Sequence, residues 1–181
     1  LLVANESNDP EQNILSVKQI VNNCLVDKDV GDLAMFDLEY VLLLLRSKSV
    51  DNNIRFAVKD PDTNEKVELE LDLNEVKVTR DDEHTNQIAI NDQYKLFLRY
   101  PTIDEFIKIA SGDPKDPLVN YFIMTSCLDK IASEEEVYKL SDYNDEEIDA
   151  FMDDLQGDVL KRIQRFFETM PKLRHEMKYT N

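Results

Sequence analysis

The spacing of apolar residues changes twice along the chain, and these changes limit the folds that are open to it. Up to Val50, apolar residues recur every three or four positions, as they do on one face of an α-helix. Between residues 51 and 101 they alternate with polar residues, as in strands with one buried face. After Pro101 the helical spacing returns. The chain is therefore predicted to form helices, then strands, then helices again.

Two helices are predicted before the strands, from Glu11 to Leu25 and from Phe36 to Val50. Pro10 suits the first position of the first helix, because proline has no N–H to leave unsatisfied there. In the second helix the stretch Tyr40 to Leu45 is apolar on all sides. Such a stretch predicts burial on most sides of the helix.

The alternating part predicts an antiparallel hairpin and further strands. One strand runs through Ile54 and Val58, the turn residues 60–64 follow, and a second strand runs from Val67 to Leu73. The stretch from Ile88 to Tyr100 predicts one or two more strands. Helices are then predicted at about 103–110, 118–132, 144–156 and 159–170. Short extended pieces are predicted between and after them, at Val137–Tyr138 and Leu173–Tyr179.

The predicted fold class is α+β, with two N-terminal helices, a small antiparallel sheet and a C-terminal group of about four helices. The sheet would contain the hairpin plus one or two strands. We expect one domain over residues 1–181, helical to 50, β from 51 to 101 and helical from 102. Because the first residue is Leu1 rather than Met, we also expect that the ends of a longer gene product are missing.

The charge balance indicates which partners the protein prefers. The chain has 38 acidic and 21 basic residues, a formal charge of −17, and 42% hydrophobic residues, enough for a core. Such acidity opposes binding to nucleic acid and favours basic partners. There is no apolar run long enough to cross a membrane. The two cysteines, Cys24 and Cys127, lie on apolar helix faces and are expected in the core of a protein from a reducing cytosol.

One end of the chain differs in charge from the rest. Residues 159–181 contain six basic and two acidic side chains, a net charge of +4, while the first 158 residues carry −21. Two interpretations stay open: basic residues favour the C-terminal ends of helices, or this end docks on a partner. The candidate partner-binding residues are Arg46, Lys48, Lys161, Arg162, Arg165, Lys172, Arg174 and Lys178.

No constellation of residues predicts catalysis, a metal site or a cofactor, so the chain is interpreted as a protein that is not an enzyme. The three glycines are too far apart for a phosphate-binding loop, and His84 is expected to be a solvated loop residue. One alternative is a Mg²⁺-dependent nuclease of the PD-(D/E)xK type, using Asp62, Glu75 and Lys77. Another is an acidic protein that mimics DNA.

Several spaced segments carry a resemblance to a known family. They are residues 32–50 (DLAMFDLEYVLLLLRSKSV), Leu96–Pro101 (LFLRYP) and Phe166–Leu173 (FFETMPKL), with the opening residues 1–6 (LLVANE). Their order and spacing resemble the baseplate hub assembly proteins of T-even-like contractile-tailed phages.

The resemblance implies a non-enzymatic hub assembly factor, chaperone-like, or a hub subunit. Its partners would be other phage baseplate hub or tail proteins, without nucleic acid or membrane, and its oligomeric state stays open. It would act in the cytoplasm of the host bacterium during assembly and, as a subunit, in the tail baseplate of the virion.

Overall fold

The structure, a computed structural model, describes residues 10–26, 29–60, 64–110 and 116–177. The helices in these ranges are α1 (Pro10–Cys24), α2 (Met35–Ser49), α3 (Ile103–Ala110), α4 (Pro117–Ser126), α5 (Asp145–Asp154) and α6 (Gly157–Glu168). The strands are β1 (Asn53–Lys59), β2 (Lys66–Asp72), β3 (Lys77–Thr79), β4 (Gln87–Ala89), β5 (Lys95–Leu98), β6 (Leu128–Ala132), β7 (Val137–Lys139) and β8 (Lys172–Arg174). Short 3-10 helices cover Leu73–Glu75 and Leu140–Asp142.

In the described ranges the strands form three antiparallel sheets. The predicted hairpin is present as β1 and β2, with Asn53 opposite Asp72 and Lys59 opposite Lys66. The strands β4, β5, β6 and β7 form a four-stranded sheet in that order. The third sheet joins β3 to β8, so Val78 lies opposite Leu173.

The predicted arrangement of one small sheet followed by about four helices is wrong. The helix predicted at 118–132 ends at Ser126, and its second half is β6, a central strand between β5 and β7. Strands β7 and β8 coincide in part with the extended pieces predicted at 137–138 and 173–179, but they pair into two different sheets instead of interrupting a group of helices. The spacing of Cys127 and Ile131 suits a helix, but pairing on both sides of β6 outweighs that local preference.

The first of the two hydrophobic clusters that the described residues form lies between α1, α2 and α3. Its buried members are Val21, Val30, Leu38 and Ile103. Backbone contacts fix α3 beside α2, since Ile103 N donates to Leu33 O at 2.9 Å. Lys18 Nζ on α1 donates to Asp104 Oδ1 on α3 at 2.6 Å. These contacts assemble the three helices although α3 lies beyond five strands in sequence.

The expected burial of the apolar stretch in α2 is wrong for two of its residues. Leu38 is 1% exposed, whereas Tyr40 is 37% and Leu44 is 36% exposed. The reason is geometric: the described neighbours cover one side of α2, and an all-apolar sequence does not show which side is covered. Cys24, expected in the core, is exposed at the end of α1, while Cys127 is buried as expected.

The second and larger cluster lies between the four-stranded sheet and helices α5 and α6. Its buried residues are Ile88, Leu96, Leu98, Leu128, Leu140, Met152, Val159, Ile163 and Phe166. Helix α6 contributes Val159, Ile163 and Phe166, which are spaced four and three residues apart and therefore share one face. The strongly amphipathic sequence of α6 thus determines which side meets the sheet.

His84, expected to be solvated, is packed against this cluster. Its ring stacks on Phe166 at 5.2 Å and on Tyr100 at 5.7 Å between centroids. Its Nδ1 and Nε2 lie 2.9 Å from Thr169 Oγ1 and Tyr100 Oη. The Thr169 hydroxyl donates to Arg165 O, so it accepts from Nδ1–H, and Nε2 accepts from Tyr100. Burial, with a smaller effect of a nearby arginine, lowers the pKa of His84.

A capping box and an ion pair connect the four-stranded sheet to α3. Glu105 Oε2 accepts from Thr102 N at 2.8 Å, and Thr102 Oγ1 accepts from Glu105 N at 3.3 Å. Both guanidinium nitrogens of Arg99, just after β5, donate to the Glu105 carboxylate at 2.6 and 2.9 Å.

None of the helices in the described part of the chain has the length and apolar character needed to cross a bilayer.

Candidate functional site

A groove of about 500 Å³ opens where the larger cluster meets solvent. Ile88, Leu96, Ile131 and Tyr138 lie opposite one another across the four strands and so face the same side of the sheet. Exposure is 2% at Ile88 and 0% at Leu96, but 37% at Tyr138. The core is therefore closed at the β4 side of the sheet and open at the β7 side.

Two tyrosines form the strand wall of the groove. Tyr94 enters β5 through a turn in which Asn91 Oδ1 accepts from Tyr94 N at 2.8 Å. The hydroxyls of Tyr94 and Tyr138 both donate to Glu136 Oε2, at 3.4 and 2.5 Å. The bond to Glu136 is the main reason that the pKa of Tyr138 rises to about 12. Both rings are thus anchored at their polar ends and present apolar faces to the groove.

Helix α5 forms the opposite wall. Asn144 and Glu147 make a capping box, with both hydrogen bonds at 3.0 Å, that fixes the start of the helix. Tyr143 precedes the cap and Ile148 follows one turn later, the two positions of a hydrophobic staple, and both line the groove. Phe151 lies three residues further along the same face. The local sequence therefore determines how the wall is presented.

The rim of the groove is strongly acidic. Residues 133–149 contain eight acidic side chains and one basic side chain, a net charge of −7. A neighbouring cleft of about 420 Å³ is lined by Asp92, Glu134, Glu135 and Glu136, all exposed, and shares Tyr94 with the groove. Apolar walls surrounded by like charges favour a partner that brings apolar side chains together with cations.

Seven of the eight predicted basic residues are described, and they lie on three elements. On α6, Arg162 pairs with Asp158 at 2.6 Å, and Arg165 pairs with Glu83 at 2.9 Å. Lys161 is exposed and makes no ion pair with a described residue. The two arginines therefore have structural partners, and Lys161 is the more accessible cation on this helix.

The basic residues of β8 lie in a mixed cleft of about 540 Å³ with Lys77 and Arg80. Arg174 is directly opposite Lys77 in the ladder, and two like charges in such a pair repel each other. Lys172 Nζ donates to Glu168 O at 3.3 Å, at the C-terminal end of α6. Lys172 thus fits the helix-end interpretation that the sequence left open.

The remaining predicted cations lie apart from these in sequence. Arg46 and Lys48 are in the last turn of α2, where basic residues suit the helix dipole. Arg46 Nε is buried and has no hydrogen-bond partner among the described residues, and Lys48 is exposed. Lys178 lies outside the described residues.

The residues of the nuclease alternative are described only in part. Asp62 lies outside the described residues, Glu75 is in a 3-10 helix and Lys77 is in β3. In the part of the chain that the structure describes, no group of three or more His, Cys, Asp or Glu side chains could hold a metal ion.

The groove was not predicted from the sequence, because its walls come from separate segments of the chain. A sequence signal for it is the presence of Tyr138 and Tyr143 in the acidic stretch 133–149.

The comparisons with known proteins identify a family. The family described as "T4 bacteriophage base plate protein" matches the chain over residues 1–181. No curated protein and no solved structure matches it. The resemblance stated from the sequence is confirmed at the level of a T4-like phage baseplate protein.

Proposed function

Because the chain belongs to the T4 bacteriophage base plate protein family, we propose that it acts in assembly of the baseplate hub. In this role it is a chaperone-like assembly factor or a hub subunit, and it works by binding other baseplate or tail proteins. It acts in the host cytoplasm during assembly and, as a subunit, in the virion. The observation that carries the proposal is an apolar groove, lined by tyrosines, that opens beside the larger cluster.

The groove has the composition of a protein-binding surface. Tyrosine is enriched where binding energy is concentrated, since it offers a large apolar face and a polar tip. Tyr138 is 37% and Tyr143 is 40% exposed, and both border the groove. The polar groups there serve the fold: Glu147 caps α5 and Glu136 accepts from the tyrosines. This arrangement supports binding rather than a nucleophile activated by a base.

Exposed cations offer a second contact surface. We propose that Lys48, Lys161 and Arg174 contact acidic surfaces of partner proteins, since each is exposed and has no ion pair with a described residue. Arg162 and Arg165 are weaker candidates because they already pair with Asp158 and Glu83. Lys161→Glu should weaken partner capture more than Arg162→Glu, and equal capture by both variants would contradict a contact at this surface.

Co-purification tests the proposed function. The tagged full chain is expressed with the hub proteins of the same phage, and we expect at least one hub protein to elute with it after washing at physiological salt. A tail-tube protein expressed in the same way is the control for non-specific retention. If no hub protein is retained at concentrations on the order of 10 µM, which covers weak transient complexes, the proposal is wrong.

Mass spectrometry of purified phage particles separates the two forms of the proposal. A hub subunit is expected in particles at a constant ratio to the other hub proteins. An assembly factor is expected in infected cells and absent from purified particles.

A further inference from the structure

We propose that the tyrosine-lined groove binds an extended segment of a partner protein, which adds a strand to β7. The segment carries apolar or aromatic side chains at alternate positions and Lys or Arg around them. This inference rests on the proposed function and specifies the chemistry of its partner.

The outer edge of β7 has backbone groups available for another strand. Ser133 N donates to Glu136 O at 2.9 Å, so this pair at the β6–β7 turn is hydrogen-bonded. Hydrogen-bonded and non-bonded pairs alternate along an antiparallel ladder. Tyr138 therefore belongs to the next bonded pair, and Val137 N–H, Val137 C=O and Lys139 N–H point away from β6. The Lys139 C=O accepts the first hydrogen bond of the 3-10 helix Leu140–Asp142, for which Lys139 is the N-cap, so three backbone groups are available. In the described ranges β7 is the last strand of its sheet, and no described strand covers this edge.

The edge and the groove are continuous. Tyr138 lies on β7 and its ring lines the groove, so a strand added beside β7 would extend the row that runs from Ile88 to Tyr138. Every second side chain of the added strand would then face the groove. The volume of about 500 Å³ lies within the range of pockets that bury organic groups. The exposed Val137, at 62%, is on the opposite face and would be covered as well.

Charge decides which segment fits. The net charge of −7 over residues 133–149 disfavours acidic segments and attracts cations to the rim. A second copy of this chain is a poor occupant, because its body is acidic and its basic strand β8 already pairs with β3. A different protein with a basic and apolar segment meets both requirements.

A peptide panel tests the chemistry with the full chain. The probe is a short synthetic peptide in which Phe alternates with Thr and Lys-Arg pairs stand at both ends, labelled with a fluorophore for anisotropy. We expect a Kd on the order of 10 µM at physiological salt. Replacing every Phe by Ala, or the end pairs by Glu-Glu, should weaken binding at least tenfold. Equal binding of all three peptides would overturn the proposal.

Matched variants locate the binding. Tyr138→Ala should raise the Kd about tenfold, whereas Tyr40→Ala, with the same 37% exposure on α2, should leave it unchanged. Glu134→Lys should weaken binding, and Glu68→Lys on β2, with the same change in net charge, should not. Unchanged affinity in Tyr138→Ala and Glu134→Lys would overturn the proposal.

Val137→Pro tests the added strand, because it removes an N–H that points away from β6 and leaves the β6–β7 hydrogen bonds in place. We expect it to abolish peptide binding while the melting temperature changes little. If this variant unfolds, Tyr143→Ala, on the α5 side, replaces it and is expected to raise the Kd. Wild-type binding by Val137→Pro would overturn strand addition, and wild-type binding by Tyr143→Ala would overturn binding in this groove.

Light scattering and hub capture complete the experiment. A wild-type dimer that Tyr138→Ala converts to a monomer would assign the groove to a second copy and overturn the proposal. If the wild-type chain captures a hub protein and Tyr138→Ala captures it equally, the groove proposal is wrong, and the capture itself supports the proposed function through another surface. If the peptide panel follows the expected order but no hub protein is captured, the groove proposal stands and the proposed function is wrong.

Discussion

Glu105 joins the end of the sheet to the start of α3, so its removal tests how the two hydrophobic clusters are held together. Its carboxylate accepts from both Arg99 guanidinium nitrogens and from Thr102 N, at 2.6 to 2.9 Å. Its side chain is 16% exposed and that of Arg99 is 40% exposed. We expect Glu105→Ala to destabilise the protein more than the loss of an exposed ion pair such as Arg165–Glu83.

The magnitude follows from the two roles of the carboxylate. Loss of the bond to Thr102 N removes one arm of the capping box, which costs about 1 kcal/mol. Loss of the forked ion pair costs about 1 kcal/mol more, a value kept low because Arg99 partly faces water. Glu105→Ala should therefore lower the free energy of unfolding by about 2 kcal/mol. Glu105→Gln should lower it by about 1 kcal/mol, since its amide oxygen still accepts from Thr102.

The pH dependence of this contribution has a defined sign. Burial raises the pKa of Glu105, but the hydrogen bonds from Arg99 and Thr102 outweigh it, so the pKa lies below its ordinary value of 4.5. The stabilisation that Glu105 provides is fully present above pH 4.5. It is lost as the pH falls through the lower pKa of the folded state.

Urea unfolding followed by circular dichroism measures these changes, with the slope m compared between variants to check that the transition is the same. Glu83→Ala is the control, because Glu83 pairs with Arg165 where both side chains are more than half exposed. A double-mutant cycle with Arg99→Met should give a coupling free energy of about 1 kcal/mol. If Glu105→Ala costs no more than Glu83→Ala, the connecting role assigned to Glu105 is wrong.

Three further predictions concern the interior of the protein. Because burial lowers the pKa of His84, the stability of the protein should fall as the pH drops below about 6.5, the ordinary pKa of histidine. Melting curves of wild type and His84→Gln from pH 5 to 8 test this. Parallel pH profiles of the two proteins would contradict it. Phe166 is 2% exposed and stacks on His84. Phe166→Ala should therefore lower the free energy of unfolding in urea by about 3–5 kcal/mol. A loss near 1 kcal/mol would contradict its central position in the cluster. Cys24 should react rapidly with a thiol reagent, while Cys127, whose pKa burial raises to about 12, should react only after unfolding; two fast thiols in the native protein would contradict this.

Local sequence predicted the elements whose partners are near in the chain. The first two helices, the hairpin of β1 and β2, and the pair β4 and β5 are present close to the predicted positions. In these elements the spacing of apolar residues and the turn residues agree with the observed structure. The family resemblance was also available from the sequence, because it depends on the order of segments and not on their packing.

Elements whose partners are distant in sequence were not predictable in the same way. Strand β6 follows α4 without a change in apolar spacing and is a strand because β5 and β7 lie on either side of it. His84 stands in a polar stretch, and its burial depends on Phe166, eighty-two positions later. The groove depends on β5, β7 and α5 together. Contacts between distant segments determine β6, the burial of His84 and the groove, and a single sequence does not show which distant segments meet.

The pairing of β3 with β8 has a consequence for synthesis on the ribosome. Val78 meets Leu173 across this sheet, so the nascent chain exposes β3 while ninety-five further residues are added. Both strands have three residues, and Lys77 and Arg174 repel each other across the pair, so the closing contact is weak by itself. Because α2 contacts both strands, we expect this pair to close only once α2 is in place and residues 172–174 have been synthesised.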